Sequence, residues 1–292
     1  MTMNINQNDI VYYTSQDIYD NTGLLLLKKG QKITPRVRKK LKNYGINNLE
    51  KYAYTYDNYV VLASKERQSA ILNPETIIKE FSERLNIADN NFMNKANEIL
   101  IDIIFESKTK PWWIYVNTLS KYVDWIYTHS IDVSMISLMM AIELGYNDDD
   151  LKNLGIGTIL HDVGRLLIPK SIIQKPRDLT ESEMEIVKQH CELGMCSLKG
   201  YNLPKEYMDV IGQHHERLDG SGYPKGLKED EISHNAKIAI VADSVDSITF
   251  YRPGREAQSM ETAINKLRTE KERYPQDLVS ILEKVMSHPY LC

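Results

Sequence analysis

The feature that most restricts this chain is the placement of its histidines. There are seven, and five of them (His129, His161, His190, His214 and His215) sit at the end of an element or beside a carboxylate in one half of the chain. Asp162 follows His161 directly, and Asp243 lies on an apolar segment, Ala239-Ile240-Val241-Ala242, that ought to be buried. A lone imidazole on a helix is usually a satisfied structural residue, and an acid near buried residues is often only a cap. The joint pattern is harder to dismiss: an HD pair, an HH pair, two single histidines and a late Asp. Imidazole with carboxylate suits iron, manganese or zinc, and two adjacent metals need about this many donors. No HExxH helix and no GxxxxGK[ST] loop occurs, which argues against a zincin-type protease and the commonest nucleotide triphosphatase.

The scaffold carrying these residues reads as helical. From about residue 112 onward the apolar spacing predicts a helix over Tyr122 to Leu144 that stops at Gly145. Another is capped by Asp148 and runs through Leu151, Leu154 and Ile159 into His161-Asp162, breaking at Gly164. Thr180-x-x-Glu183 is a capping-box pattern opening a helix toward His190. Further helices are expected over Pro204 to Gln213, Asn235 to Ser247, Met260 to Lys271 and Gln276 to Met286.

Residues 1–65 differ, and are expected to form a small α+β module. Apolar runs at Ile10 to Tyr13 and Leu24 to Leu27, punctuated by Gly23 and Gly30, suggest a strand pair, followed by a helix over Pro35 to Tyr44 ending at Gly45. Residues 66–111 read as a helical linker, with a start at Asn73-Pro74-Glu75 and an amphipathic run over Phe92 to Phe105. That run suits a helix joining two copies in a homodimer and equally one packed on its own domain. Residues 112–292 form the main domain.

A net charge of −4, from 36 basic and 40 acidic residues, is a poor basis for gripping long nucleic acid, though a small phosphorylated ligand can still bind a locally basic pocket. Cys191, Cys196 and Cys292 follow no disulfide or zinc spacing, which implies ordinary thiols in a reducing compartment. The N-terminus lacks a secretory pattern, and the apolar stretch Ile136 to Leu144 is far shorter than the roughly 20 residues a bilayer requires. A cytoplasmic chain without membrane insertion is expected.

Two segments carry a family resemblance. His161-Asp162-Val163-Gly164-Arg165, followed by Leu166-Leu167-Ile168-Pro169, resembles the HDIGKxxIP motif of HD-GYP phosphodiesterases. The run from His214-His215-Glu216 through Asp219-Gly220-Ser221-Gly222-Tyr223-Pro224 closely resembles their HHExxDGxGYP segment. The similarity covers roughly residues 115 to 290. It implies a mainly α fold, an HD-type helical bundle beside the N-terminal module. It also implies hydrolysis of cyclic di-GMP to linear pGpG or GMP by a hydroxide bridging two divalent ions, iron or manganese.

Carried over position by position, the resemblance implies metal ligands at His129, His161, Asp162, His190, His214, His215 and Asp243, with Asp162 bridging. Trp125 stands where some members have a Glu for a third metal, so a dinuclear centre is expected. Arg165 replaces the Lys of HDxGK as the cation near the phosphate; it offers a planar fork but no transferable proton. Arg252 and Arg255 resemble an RPYR segment whose Tyr is Gly254 here, and with Lys170 and Tyr223 they complete the expected substrate contacts. Lys175 and Arg177 read as a solvated loop, and His234 and His288 as non-ligands. The departures at Arg165, Ser247 and Gly254 also fit another class of protein: a catalytically weak or inactive relative that binds a cyclic dinucleotide and signals through protein contacts.

Overall fold

The computed structural model of the chain describes residues 12–14, 16–20, 22–28, 31–46, 53–55, 74–85, 91–175, 178–250 and 256–286. They fall into two compact units, Met1–Ile77 with Ile101–Lys110, and Ile78–Leu100 with Pro111–Cys292.

The first unit holds β1 (Tyr12–Thr14), β2 (Ile18–Tyr19), β3 (Leu25–Leu27), β4 (Lys32–Ile33), α1 (Pro35–Asn43) and β5 (Ala53–Thr55). The two apolar runs do not pair with each other as expected. Instead β1 lies between β4 and β5, with Tyr12 opposite both Ile33 and Thr55, while β3 pairs with β2, Leu27 opposite Ile18. Burial explains the choice. Ile18, Leu26, Leu27 and Ile33 form one apolar cluster with Val37 and Leu41 of α1, closed by Ile101 and Phe105. Thr34 caps α1 by accepting from the Val37 amide, and the helix stops before Gly45, at φ +79°.

α2 (Pro74–Leu85) and α3 (Asn91–Ser107) follow, then α4 (Trp113–Tyr122), α5 (Asp124–Glu143) and α6 (Asp148–Leu160). The helix expected from Tyr122 begins two residues later. Val123 is extended (φ −146°, ψ 107°), and its β-branched side chain is buried beside Leu119 and Ile126. Each such burial contributes about 1.5–3 kcal/mol, enough to outweigh one continued helical turn. α5 is apolar on nearly every side (Ile126, Ile131, Val133, Met135, Ile136, Leu138 and Met139 are all buried) and is therefore the central helix of the second unit. Gly145, at φ +78°, ends the run as expected. Asn147, rather than Asp148, caps α6, its side chain accepting from the Asp150 amide at 2.9 Å.

A 3-10 turn (Val163–Leu167) and α7 (Lys170–Ile173) lead to α8 (Glu181–Lys188), opened by the expected Thr180/Glu183 capping box. Then come α9 (His190–Leu198), α10 (Lys205–Gln213), α11 (His234–Thr249), α12 (Met260–Thr269) and α13 (Gln276–Met286). α5 packs against α6, α11 and α13, and α10 packs against α6, α9 and α11. The 3-10 turn lies directly on α9, where a Cβ at Gly164 would stand 1.9 Å from the His190 carbonyl oxygen and 2.5 Å from the Gly194 amide nitrogen. Only glycine permits that approach.

Candidate metal centre

Five helices meet at the histidines. His129 lies in the interior of α5, Asp243 on α11, and His161 and His214 occupy the C-caps of α6 and α10. His190 opens α9, while Asp162 and His215 each follow a capping histidine. Five of the seven are at most 1% exposed, Asp243 is 3%, and only His215 is partly open.

Three of the imidazoles are aimed by backbone alone. A carbonyl oxygen has two lone pairs, so those of a last helical turn can accept from a side chain as well as from an amide. His161 Nδ1 donates to Thr158 O at 2.6 Å, His190 Nδ1 to Val187 O at 2.6 Å, and His214 Nδ1 to Val210 O and Ile211 O at 3.1 and 3.0 Å. Each of these Nε2 atoms is left as a lone pair. Burial pushes the His190 imidazole down to about 4 and lowers those of His161, His214 and His215 as well, so all four are neutral near pH 7.

The ligand-type atoms form two groups, one of His129, His161 and Asp243 and the other of Asp162, His190, His214 and His215. Asp162 faces both. Its Oδ2 lies 3.5 Å from His161 Nε2 and 3.7 Å from His129 Nε2, while its Oδ1 lies 3.3 Å from His190 Nε2 and 3.9 Å from His214 Nε2. Asp243 reaches His129 Nε2 with Oδ1 at 3.0 Å and His215 Nδ1 with Oδ2 at 3.5 Å. Burial raises the carboxyls of Asp162 and Asp243, but the Arg165 charge first and then the nearby histidines outweigh it for Asp162, and the contact with His129 outweighs it for Asp243, so both lie well below the usual range.

This donor set fits metal ions on internal grounds. His190 Nε2 and His214 Nε2 stand 3.2 Å apart, two lone pairs with no proton to share. Asp162 Oδ2 and His215 Nε2 are buried without a hydrogen bond. Buried polar atoms left in this way are costly, and a cation between them removes the cost.

Other residues fall around this centre. Arg165 is 9% exposed, and its Nε lies 2.6 Å from Asp162 Oδ1, so its charge is directed at the carboxylate. Tyr223 packs its ring on that of His215 (centroids 4.7 Å apart, 33° between planes), and its amide donates to His215 O at 3.1 Å. Gly222 makes this fold-back possible, since a Cβ there would sit 2.3 Å from the Arg217 nitrogen; Gly220 takes φ +82°. Lys170 is exposed, with its ammonium 5.7 Å from the Tyr122 ring centroid. Trp125 packs on the Leu119–Val123–Ile126 cluster. Arg177, Arg252, Gly254, Arg255 and His288 lie outside the described residues. Cys191, buried with Sγ 3.5 Å from His190 Nε2, is kept as a thiol by burial.

Three residues escaped the sequence reading. Glu216 is fully buried and accepts from the Lys225 and Leu227 amides at 2.8 and 2.9 Å, tying down the loop that carries Tyr223. Asp246, also fully buried, places Oδ2 2.6 Å from His129 Nδ1. Lys188 holds its ammonium 5.7 Å from the Tyr223 ring centroid. An acid three residues after Asp243 on a buried helix was the available signal for Asp246.

The chain matches the HD domain family model over residues 114–278. A cyclic di-GMP phosphodiesterase of Thermotoga maritima is 37% identical over 157 residues, 53% of this chain and 43% of that protein. The cyclic di-GMP phosphodiesterase response regulator RpfG of Xanthomonas campestris is 35% identical over 145 residues, 48% of this chain and 38% of its own length. A 3'3'-cGAMP-specific phosphodiesterase of Vibrio cholerae is 32% identical over 157 residues, 54% of this chain and 36% of that protein. The chain thus spans less than half the length of these relatives. Among solved structures, the HDG"Y"P protein Bd1817 from Bdellovibrio bacteriovorus shares the fold, with TM-score 0.51 and 18% identity over 97% of this chain and 95% of that one. The family model covers more than half of the residues and includes the His161-Asp162 pair and the His214–Pro224 segment, so the chain belongs to the HD domain family, in its HD-GYP branch.

Proposed function

We propose that this chain is a metal-dependent phosphodiesterase that hydrolyses cyclic di-GMP to linear pGpG, to GMP, or to both. The observation that carries the reading is Asp162, fully buried, with one oxygen facing each of two imidazole groups. Relatives that share this domain bear the names of phosphodiesterases of cyclic di-GMP or of 3'3'-cGAMP, which supports a cyclic dinucleotide as substrate. Two divalent ions, iron or manganese, suit the donor set: His129, His161 and Asp243 on one side, His190, His214 and His215 on the other, and Asp162 between.

When bound, such ions supply Lewis acidity toward phosphoryl oxygens and a water acidic enough to attack near neutral pH. The protein contributes the rest. Neutral imidazoles bind without first losing a proton, and the low carboxyl pKa values of Asp162 and Asp243 keep both charged. Arg165 sets a permanent charge beside Asp162, near where negative charge grows on the phosphoryl group. Burial raises the Tyr223 phenol, so it stays protonated and can donate a hydrogen bond to the substrate. Glu216 keeps that ring in place through the loop amides.

Arg165 also favours a second reading. A guanidinium drawn onto Asp162 offers the phosphate less of its fork, as in a relative that binds its ligand but turns it over slowly. The deciding experiment is anaerobic hydrolysis of a panel of cyclic dinucleotides and nucleoside phosphates by protein whose metals have been counted by elemental analysis. About two metals per chain with linear dinucleotide or GMP released is the expected result. Loaded metals with tight binding of cyclic di-GMP and no turnover would select the second reading, and hydrolysis of mononucleotides alone would refute both.

A further inference from the structure

His129 differs from its neighbours in how it is held. His161, His190 and His214 stand at helix ends and donate from Nδ1 to carbonyls three or four residues earlier. His129 is in the interior of α5, and its Nδ1 is not paired with a carbonyl of its own helix but with a carboxylate. That Nδ1 is held instead by a side chain from another helix: Asp246 Oδ2 stands 2.6 Å away across 117 residues of sequence, with both groups fully buried. A carboxylate only accepts, and Asp243 Oδ1 also stands 3.0 Å from Nε2; the shorter contact to Asp246 holds the proton on Nδ1 when Nε2 is turned to a metal. Nε2 is then the nitrogen that faces Asp162, Asp243 and His161. One face of α11 supplies Asp243 as a candidate ligand and, one turn later, the group that fixes a second ligand from another helix.

Resting on the metal-centre reading above, we propose that Asp246 is a positioning residue that locks the tautomer and orientation of His129 so that Nε2 is presented to a metal. Asp246→Asn tests this because it is nearly isosteric but no longer obliges Nδ1 to carry the proton; an amide N–H turned to Nδ1 would place the proton on Nε2 and close that ligand. The measurement is Mn2+ affinity by competition with a chelator, on the full chain, beside the unfolding temperature of both proteins without metal. The expected result is a 10- to 100-fold loss of Mn2+ affinity, the usual cost of removing a group that holds a ligand, with the metal-free unfolding temperatures close. A merely structural role would move the unfolding temperature and leave affinity alone, and that result overturns the proposal. If the variant fails to fold, 15N spectra of the zinc-loaded parent decide: a protonated Nδ1 on His129 supports the proposal, and a metal-bound Nδ1 overturns it. A parent that takes up no metal overturns the phosphodiesterase reading as well. A parent that loads metal and hydrolyses cyclic di-GMP, with Asp246→Asn binding Mn2+ equally well, overturns only the role of Asp246.

Discussion

Gly164→Ala reaches the centre without altering a single candidate ligand. The added Cβ would lie 1.9 Å from His190 O and 2.5 Å from Gly194 N, whereas real Cβ atoms essentially never approach another atom within 3.0 Å. At least 1.1 Å must therefore open between the 3-10 turn and α9, and the opposing atoms are backbone that no rotamer change can remove. The turn follows Asp162 and the helix begins at His190, so the gap opens where Asp162 Oδ1 meets His190 Nε2, now 3.3 Å apart. Overpacking of this kind costs about 1–3 kcal/mol, or roughly 2–10 °C in unfolding temperature for a domain of this size. A misplacement near 1 Å among reacting groups costs on the order of 100-fold in rate. Gly200→Ala is the internal control, since nothing lies within 4 Å of a Cβ there. Calorimetry on the metal-loaded proteins, with metal counts and kcat, should show Gly164→Ala impaired in all three and Gly200→Ala in none. An unfolding temperature and metal count equal to the parent's would refute the close approach of turn and helix.

Four further outcomes follow from the same geometry. Asp162→Ala removes the carboxylate that faces both imidazole groups and should abolish metal retention and hydrolysis together; full activity with metals in place would refute the site. Arg165→Lys should keep the metals and raise kcat, because an ammonium can donate a proton that the guanidinium withholds; unchanged or lower turnover would show that Arg165 serves equally well. Glu216→Gln sets an amide N–H against a backbone donor at Lys225 or Leu227, costing about 1–3 kcal/mol and raising KM through Tyr223 while metal content holds; an unchanged KM would release Tyr223 from substrate binding. In the first unit, burial, with the nearby Lys28 charge, pushes the Lys108 amine down to about 8 from 10.5. Below pH 8 the amine is charged in the folded and unfolded chain and the fold is penalised; as pH rises from 8 toward 10.5 the folded chain releases its proton first and stability rises. Lys108→Met should thus raise the unfolding temperature at pH 7 and lose that advantage by pH 10, and a gain independent of pH would contradict the shift.

Legibility differed sharply between kinds of residue. Capping chemistry is local, so the Thr180/Glu183 box and the stop at Gly145 could be read from neighbours in sequence. The strand pairing could not, because strands of two or three residues carry too little alternation to choose a partner, and the choice fell to how Ile18, Leu26 and Leu27 fill one cluster. Val123 looks like helix from its neighbours and becomes extended only because a cluster formed by two helices has room for it.

The same division runs through the centre itself. Few side chains can offer a metal a lone pair or a charge, so candidate ligands stand out wherever His and Asp collect in apolar surroundings. Holding a ligand is less restrictive chemically: a bare carbonyl does it for His161, His190 and His214, while a carboxylate does it for His129. A carbonyl leaves no mark in the sequence at all. Asp246 leaves one that reads like any other polar residue on a buried helix, and its meaning is set by a partner 117 residues away. What exposes it is the 2.6 Å contact with His129 Nδ1, both groups being fully buried. A buried imidazole needs its Nδ1 satisfied wherever it lies, and a backbone carbonyl three or four residues earlier does this at three positions here while a carboxylate from another helix does it at His129.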